Sequence, residues 1–128
     1  MVVHLSDALR GFLDERHLAT LVTLRADGSP HAVPVGFTWR VDSGAVLLRV
    51  ITVDDSVKVR NARRGGRASI TQLDGARWAT FEGEVRVLDD DASVAGAEAA
   101  YATRYRPPKD RSDRVVIELV VDHLMCSS

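Results

Sequence analysis

Leu5, Leu9, Phe12 and Leu13 recur at helical spacing behind Ser6, a good capping residue, and predict a short N-terminal helix. Beyond His17 the apolar period shortens to two. The stretch "HLATLVTLRADGSPHAVPVGFTWRV" reads as two β-rich runs around Asp27-Gly28, a strong hairpin signal. A third run, "GAVLLRVIT", leads to Asp54 and Asp55, which can cap a helix from Ser56 to about Arg64. Gly65-Gly66 ends that helix, as glycine does at helix C-termini. Strands follow at "RASITQL" and "RWATFEGEVRVL". The triplet Asp89-Asp90-Asp91 then suits the positive end of an alanine-rich helix reaching Tyr105. Pro107-Pro108 stops it, and "DRVVIELVVDHLM" is a last long strand. The pattern predicts one domain over residues 1–128, mainly β with short helices, built as a six-stranded antiparallel barrel, closed or partly closed.

One run departs from ordinary alternation. His31, Val33, Val35, Phe37 and Trp39 fall on one face of the predicted strand, and Ala32, Pro34, Gly36 and Thr38 on the other. Small residues along a strand let something flat approach the backbone closely, or they mark a packed bend in a barrel. Periodicity alone leaves both readings open.

Composition narrows the function classes. With 45% hydrophobic and 27% charged residues the chain is of ordinary globular type. Its net charge of −1 argues against a dedicated nucleic-acid protein, whose domain is usually strongly basic. No apolar run approaches the roughly 20 residues that span a bilayer. The one cysteine, Cys126, cannot form an internal disulfide, and the N-terminal stretch carries Asp7 and Arg10 in place of a signal-peptide core. A cytoplasmic protein is expected, with no membrane and no nucleic-acid partner.

Candidate chemistry is sparse. His4, His17, His31 and His123 lack metal-ligand spacing, so no metal site is expected. Neither a nucleophile elbow, nor a P-loop, nor a dinucleotide fingerprint is present. No catalytic side chain can be assigned, and an enzyme built this way would draw its reactivity from an organic cofactor. The stretch "SVKVRNARRGGRASI" holds five basic residues and no acidic one. Thr52, Ser56, Lys58 and Asn61 would converge near a helix start and make a credible phosphate cradle. Arg60, Arg63 and Arg64 read instead as a solvated face near the helix C-terminus, where cations suit the dipole.

These residues also carry a resemblance. "SPHAVPVGF", then Thr52, Ser56, Lys58 and Asn61 in the pattern T-x-x-x-S-x-K-x-x-N, "RASI" and "DGARWATFEG" resemble the split-barrel flavin-binding proteins related to pyridoxamine 5′-phosphate oxidase. Within that superfamily "ERHLATLVTLRADGSPH", "LDGARW" and "YATRYRPP" are similar to the actinobacterial branch that uses the deazaflavin F420, and to its biliverdin reductases. The resemblance covers nearly the whole chain. It implies a split barrel, a homodimer with cofactor sites at the subunit interface, and a small-molecule substrate.

Carried over by position, the resemblance implies that Ser56, Lys58 and Asn61 hold the cofactor phosphate. Val33, Pro34 and Val35 would lie along the ring, with Val50, Ile51 and Thr52 at its edge and Trp78 reaching in from the partner. Spare arginines such as Arg60 or Arg64 would meet the acceptor's carboxylates. The chain departs from pyridoxamine phosphate oxidase itself by carrying Val33 and Val57 where that enzyme has phosphate-binding arginines. The reading is a reductase passing a hydride from reduced F420 to a conjugated acceptor such as biliverdin. FMN is the alternative cofactor, and a non-catalytic flavin or deazaflavin carrier the alternative role.

Overall fold

The computed structural model describes residues 3–127. In chain order the elements are α1 (Asp7–Asp14), β1 (Ala19–Leu24), β2 (Pro30–Val35), β3 (Thr38–Asp42), β4 (Ala45–Val53), α2 (Val57–Arg63), β5 (Arg67–Asp74), β6 (Arg77–Leu88), α3 (Asp91–Arg104) and β7 (Arg114–Cys126). The strands form one sheet in the order β2-β1-β5-β6-β7-β4-β3, antiparallel throughout. Its two edge strands, β2 and β3, are consecutive in the chain and separated only by Gly36 and Phe37. A sheet tethered edge to edge must curl on itself. The result is a barrel left split between β2 and β3, with Leu21, Phe37, Leu48, Ile70, Phe81 and Leu119 buried inside.

Seven strands stand where six were expected, because the run from His31 to Trp39 breaks in the middle. Gly36 and Phe37 fall outside both strands, β2 ending at Val35 and β3 starting at Thr38. The cause lies behind Gly36. A Cβ there would come within 3.1 Å of the Tyr101 and Tyr105 rings. The Phe37 N–H, which a continuing ladder would use, donates instead to the Tyr105 hydroxyl at 3.1 Å. The expected small face is therefore discontinuous: Ala32 and Pro34 are exposed, Gly36 half-buried and Thr38 buried.

Arg104 holds that arrangement from below. Its guanidinium donates to Glu15 O (2.9 Å), Phe37 O (2.6 Å) and Gln72 Oε1 (2.5 Å) while lying over the Phe37 and Tyr105 rings. Three carbonyl-type acceptors and two ring faces stand in for a carboxylate, so the end of α3 is pinned to the bend. Across the sheet Glu118 is fully buried between Arg49, at 2.6 Å, and Arg86, at 2.7 Å. Both arginines are its direct cross-strand neighbours, so the ion triad fixes the register of β4, β7 and β6. Gly83 sits at a bulge in β6, where a Cβ would meet Val120 O at 1.8 Å.

The helices begin near the predicted positions, with one change of cap. Ser6 caps α1 through Leu9 N–H (3.2 Å), and Asp90 caps α3 through Ser93 N–H (3.0 Å). The cap residue of α2 is Ser56 rather than Asp54 or Asp55. Asp54 serves instead as partner to Arg63, and its N–H joins Asp113 O at 2.9 Å.

Candidate functional site

A cavity of about 600 Å³ opens beside the break between β2 and β3. Its floor is strand: Pro34, Val35 and Gly36 from the end of β2, and Val50, Ile51, Thr52 and Val53 from β4. Lys58, the second residue of α2, forms one flank. Tyr101 and the segment after α3, from Arg106 to Arg114, form the other. Five lining residues are basic (Lys58, Arg106, Lys109, Arg111 and Arg114) and none is acidic. The chain as a whole is slightly acidic, so this concentration of cations is local and its field favours an anion.

Two of those cations are already matched. Arg114 donates to Glu98 at 2.6 Å, and Arg111 grips Asp113 through two bonds at 2.8 and 2.9 Å. Among the described residues Lys58, Arg106 and Lys109 have no ion-pair partner. Lys58 is half-buried, and desolvation pulls its ammonium below the ordinary lysine range. Beside it, the Ser56 hydroxyl is buried and makes no hydrogen bond. A buried hydroxyl without a partner costs about 1–3 kcal/mol, and an anion beside Lys58 that also accepted from Ser56 would remove both penalties. The α2 helix has only seven residues, so these side chains matter more than its dipole.

The expected site residues thus divide. Pro34, Val35, Val50, Ile51, Thr52 and Lys58 line one cavity, and Ser56 stands just before its Lys58 flank. Val33 is not among the lining residues and packs against the barrel core. Asn61 is buried beneath α2, donating to Thr23 Oγ1 at 3.1 Å and accepting from Arg64 at 2.6 Å. It holds the helix to β1 with both ends of its amide engaged. Trp78 lies on the exposed side of β6, away from this chain's own cavity. Arg60 and Arg64, expected to be spare, are spent on Asp55 O (2.7 Å) and on Leu24 O and Asn61. The cations that do face the cavity come from the segment 106–114, which pattern reading left as a helix stop. The signal was present in "RPPKDRSDR": four basic residues in nine, stiffened by two prolines.

Elsewhere Glu15, His17 and Asp74 bring possible ligand atoms within 4.8 Å of one another. Arg77 already donates to both carboxylates, at 2.8 and 2.9 Å to Glu15 and 2.5 Å to Asp74. Arg77 and then His17 hold the Glu15 carboxyl down at about 2. The cluster is an ion-pair knot between the end of α1 and the β5–β6 turn.

The sequence profile described as pyridoxamine 5′-phosphate oxidase matches residues 5–125. The chain belongs to the pyridoxamine 5′-phosphate oxidase family. Over 124 residues it is 49% identical to an F420H(2)-dependent biliverdin reductase of Mycobacterium tuberculosis, covering 97% of this chain and 89% of that protein. A conserved hypothetical protein of Mycobacterium tuberculosis superposes with a TM-score of 0.78, at 22% identity, over 98% of this chain and 85% of its own. A solved F420 reductase does so with a TM-score of 0.74, also at 22% identity, over 94% and 98%. At such identities these two structures show the fold alone. Val57 is exposed and Val33 is turned to the core, so neither valine position brings a cation to the cavity.

Proposed function

We propose that this protein is an F420-dependent reductase that transfers a hydride from the reduced deazaflavin to a conjugated acceptor, biliverdin. The observation that carries the reading is the 49% identity, over 97% of the chain, to the mycobacterial F420H(2)-dependent biliverdin reductase. The site supports it chemically. Its lining offers no cysteine, histidine, serine or carboxylate to act as nucleophile or general base. An arrangement of this kind orients reactants and leaves bond-making to a bound group.

In this reading Ser56 and Lys58 hold the cofactor phosphate, and Pro34, Val35, Val50, Ile51 and Thr52 support the ring. When bound, the reduced deazaflavin would supply a hydride to the acceptor, which would also take up one proton. Asn61 acts through α2, keeping Lys58 in place by its bond to Thr23. FMN is the weaker choice, because Val33 and Val57 leave its phosphate without the arginines that FMN enzymes of the family use.

A homodimer completes the proposal. The outward face of β2, β1, β5 and β6 presents Ala32, Pro34, Thr20, Val22, Leu24, Thr71, Leu73, Thr80 and Trp78, with Arg67, Glu82 and Glu84 on the same face toward its Leu24 end. Leu73 is 64% exposed and pairs with Trp78 across the β5–β6 register. The uncharged end of that face, around Thr20, Pro34, Thr71, Leu73 and Trp78, suits a second copy, and Pro34 joins it to the cavity, so that the partner's Trp78 can close the site. Among the described residues no helix is long and apolar enough to cross a membrane. A cytoplasmic location is part of the proposal, supported by the unpaired Cys126, which needs no oxidising surroundings.

The experiment is direct. Reduced F420 mixed anaerobically with biliverdin and this protein should be oxidised while the biliverdin absorbance disappears. Binding of F420 without its oxidation by biliverdin would leave a carrier, or a different acceptor.

A further inference from the structure

A second cavity, of about 330 Å³, lies on the other side of Tyr101 and Arg106, lined also by Arg16, His17, Leu18 and Tyr105. Tyr101 and Arg106 line both cavities and form the ridge between them. The second chamber combines an apolar surface with two cations. Leu18 is 65% exposed, and the Tyr101 and Tyr105 rings stand 4.9 Å apart. Arg106 has no hydrogen bond or ion pair among the described residues. Arg16 spends one donor on Tyr105 O and has no carboxylate partner. Arg40, Arg63, Arg67, Arg77, Arg86 and Arg111 hold carboxylates, and Arg10, Arg25, Arg60 and Arg64 hold backbone or neutral acceptors, so Arg106 is the one exposed arginine among the described residues with neither.

We propose that this second chamber is the carboxylate subsite for the acceptor, with Arg106 as its specificity-determining residue and Arg16 as its second cation. The inference rests on the reductase reading, which puts a flat ring on the floor of the first cavity. An acceptor stacked on that ring and longer than it must extend past one flank. Lys58 and the unpartnered Ser56 hydroxyl reserve their flank for a phosphate. The opposite flank leads over Tyr101 to a chamber whose aromatic walls suit a conjugated body and whose arginines suit its acid groups. Guanidinium is fitted to this task because its planar donors meet a carboxylate through two bonds. Pro107 and Pro108, directly after Arg106, restrict the backbone that carries it, so little ordering is lost on binding. Carboxylates on the cofactor's own tail are the other source of the same chemistry, and the test separates the two.

The probes are biliverdin and its dimethyl ester, titrated by absorbance and intrinsic fluorescence against the full-length protein, with F420 affinity measured separately. The variants are Arg106→Ala, Arg106→Lys and Arg16→Ala. Arg106→Ala should weaken biliverdin about 10-fold or more while changing its ester less than about 2-fold. F420 affinity should stay within about 2-fold, and Arg106→Lys should recover part of the loss. Arg16→Ala should show the same pattern at smaller size. An equal loss for acid and ester would overturn the subsite, as would F420 weakened as much as biliverdin, which would give Arg106 to the cofactor tail. Protein that binds F420 yet shows no biliverdin binding would overturn it as well. Arg106-dependent biliverdin binding without any F420 binding would instead sink the cofactor reading and leave the subsite standing.

Discussion

Lys58 is where sequence, burial and charge meet most sharply. Its ammonium is half-buried with no carboxylate beside it among the described residues, and the loss of solvent lowers its pKa. A bound phosphate would reverse that shift by favouring the charged form. Because the bound-state pKa is the higher one, affinity is full below the free-state pKa and declines as pH rises through it. That decline should begin at lower pH than an ordinary lysine, near 10.5, would give. A charge-assisted hydrogen bond is worth roughly 1.5–3 kcal/mol, so Lys58→Ala should weaken the cofactor about 10- to 150-fold and flatten the alkaline fall. Arg63, tied to Asp54 outside the cavity, is the control. Equal losses for Lys58→Ala and Arg63→Ala in a fluorescence titration would mean a diffuse basic patch rather than a cradle. Spacing alone set Lys58 and Ser56 at the start of α2, and the structure has them there beside the cavity. Asn61 was read as a ligand because its amide stands one turn along from Lys58, yet helix spacing does not reveal that Thr23 on β1 lies beneath it.

At the scale of elements, the alternation that found β1, β4, β5, β6 and β7 works because each has one face turned to the barrel interior. It failed where a side chain from a distant helix replaced a strand partner. Tyr105 takes the Phe37 N–H, and no local pattern in residues 30–42 announces it. Nor does composition show the bulge at Gly83. That position should be intolerant of any side chain: the missing Cβ space belongs to the Val120 carbonyl, whose backbone cannot move without shifting β7. Gly83→Ala should cost about 3 kcal/mol or more, read by denaturant or thermal unfolding. Gly11→Ala, with open space around its Cβ inside α1, should be neutral or stabilising. Unchanged stability in Gly83→Ala would mean that the bulge is looser than its geometry.

For the molecule as a whole, the fold explains why the site sits where it does. The sheet curls until β2 and β3 nearly meet, and the cavity lies at the seam they leave, floored by β2 and β4 and walled by the segments that follow β4 and α3. The outer sheet face, free of charge around Pro34, Thr71, Leu73 and Trp78, continues from that seam, and at micromolar concentration the protein should sediment as a dimer. A monomer would remove the partner that the site needs for closure. The reading of the site as a deazaflavin cradle stands most directly on cofactor preference, which one measurement decides: parallel equilibrium titrations of purified protein with F420 and with FMN at fixed moderate salt. F420 should bind at micromolar affinity or tighter, with FMN weaker by about 10-fold or more. Tight FMN binding with no detectable F420 binding would contradict the account.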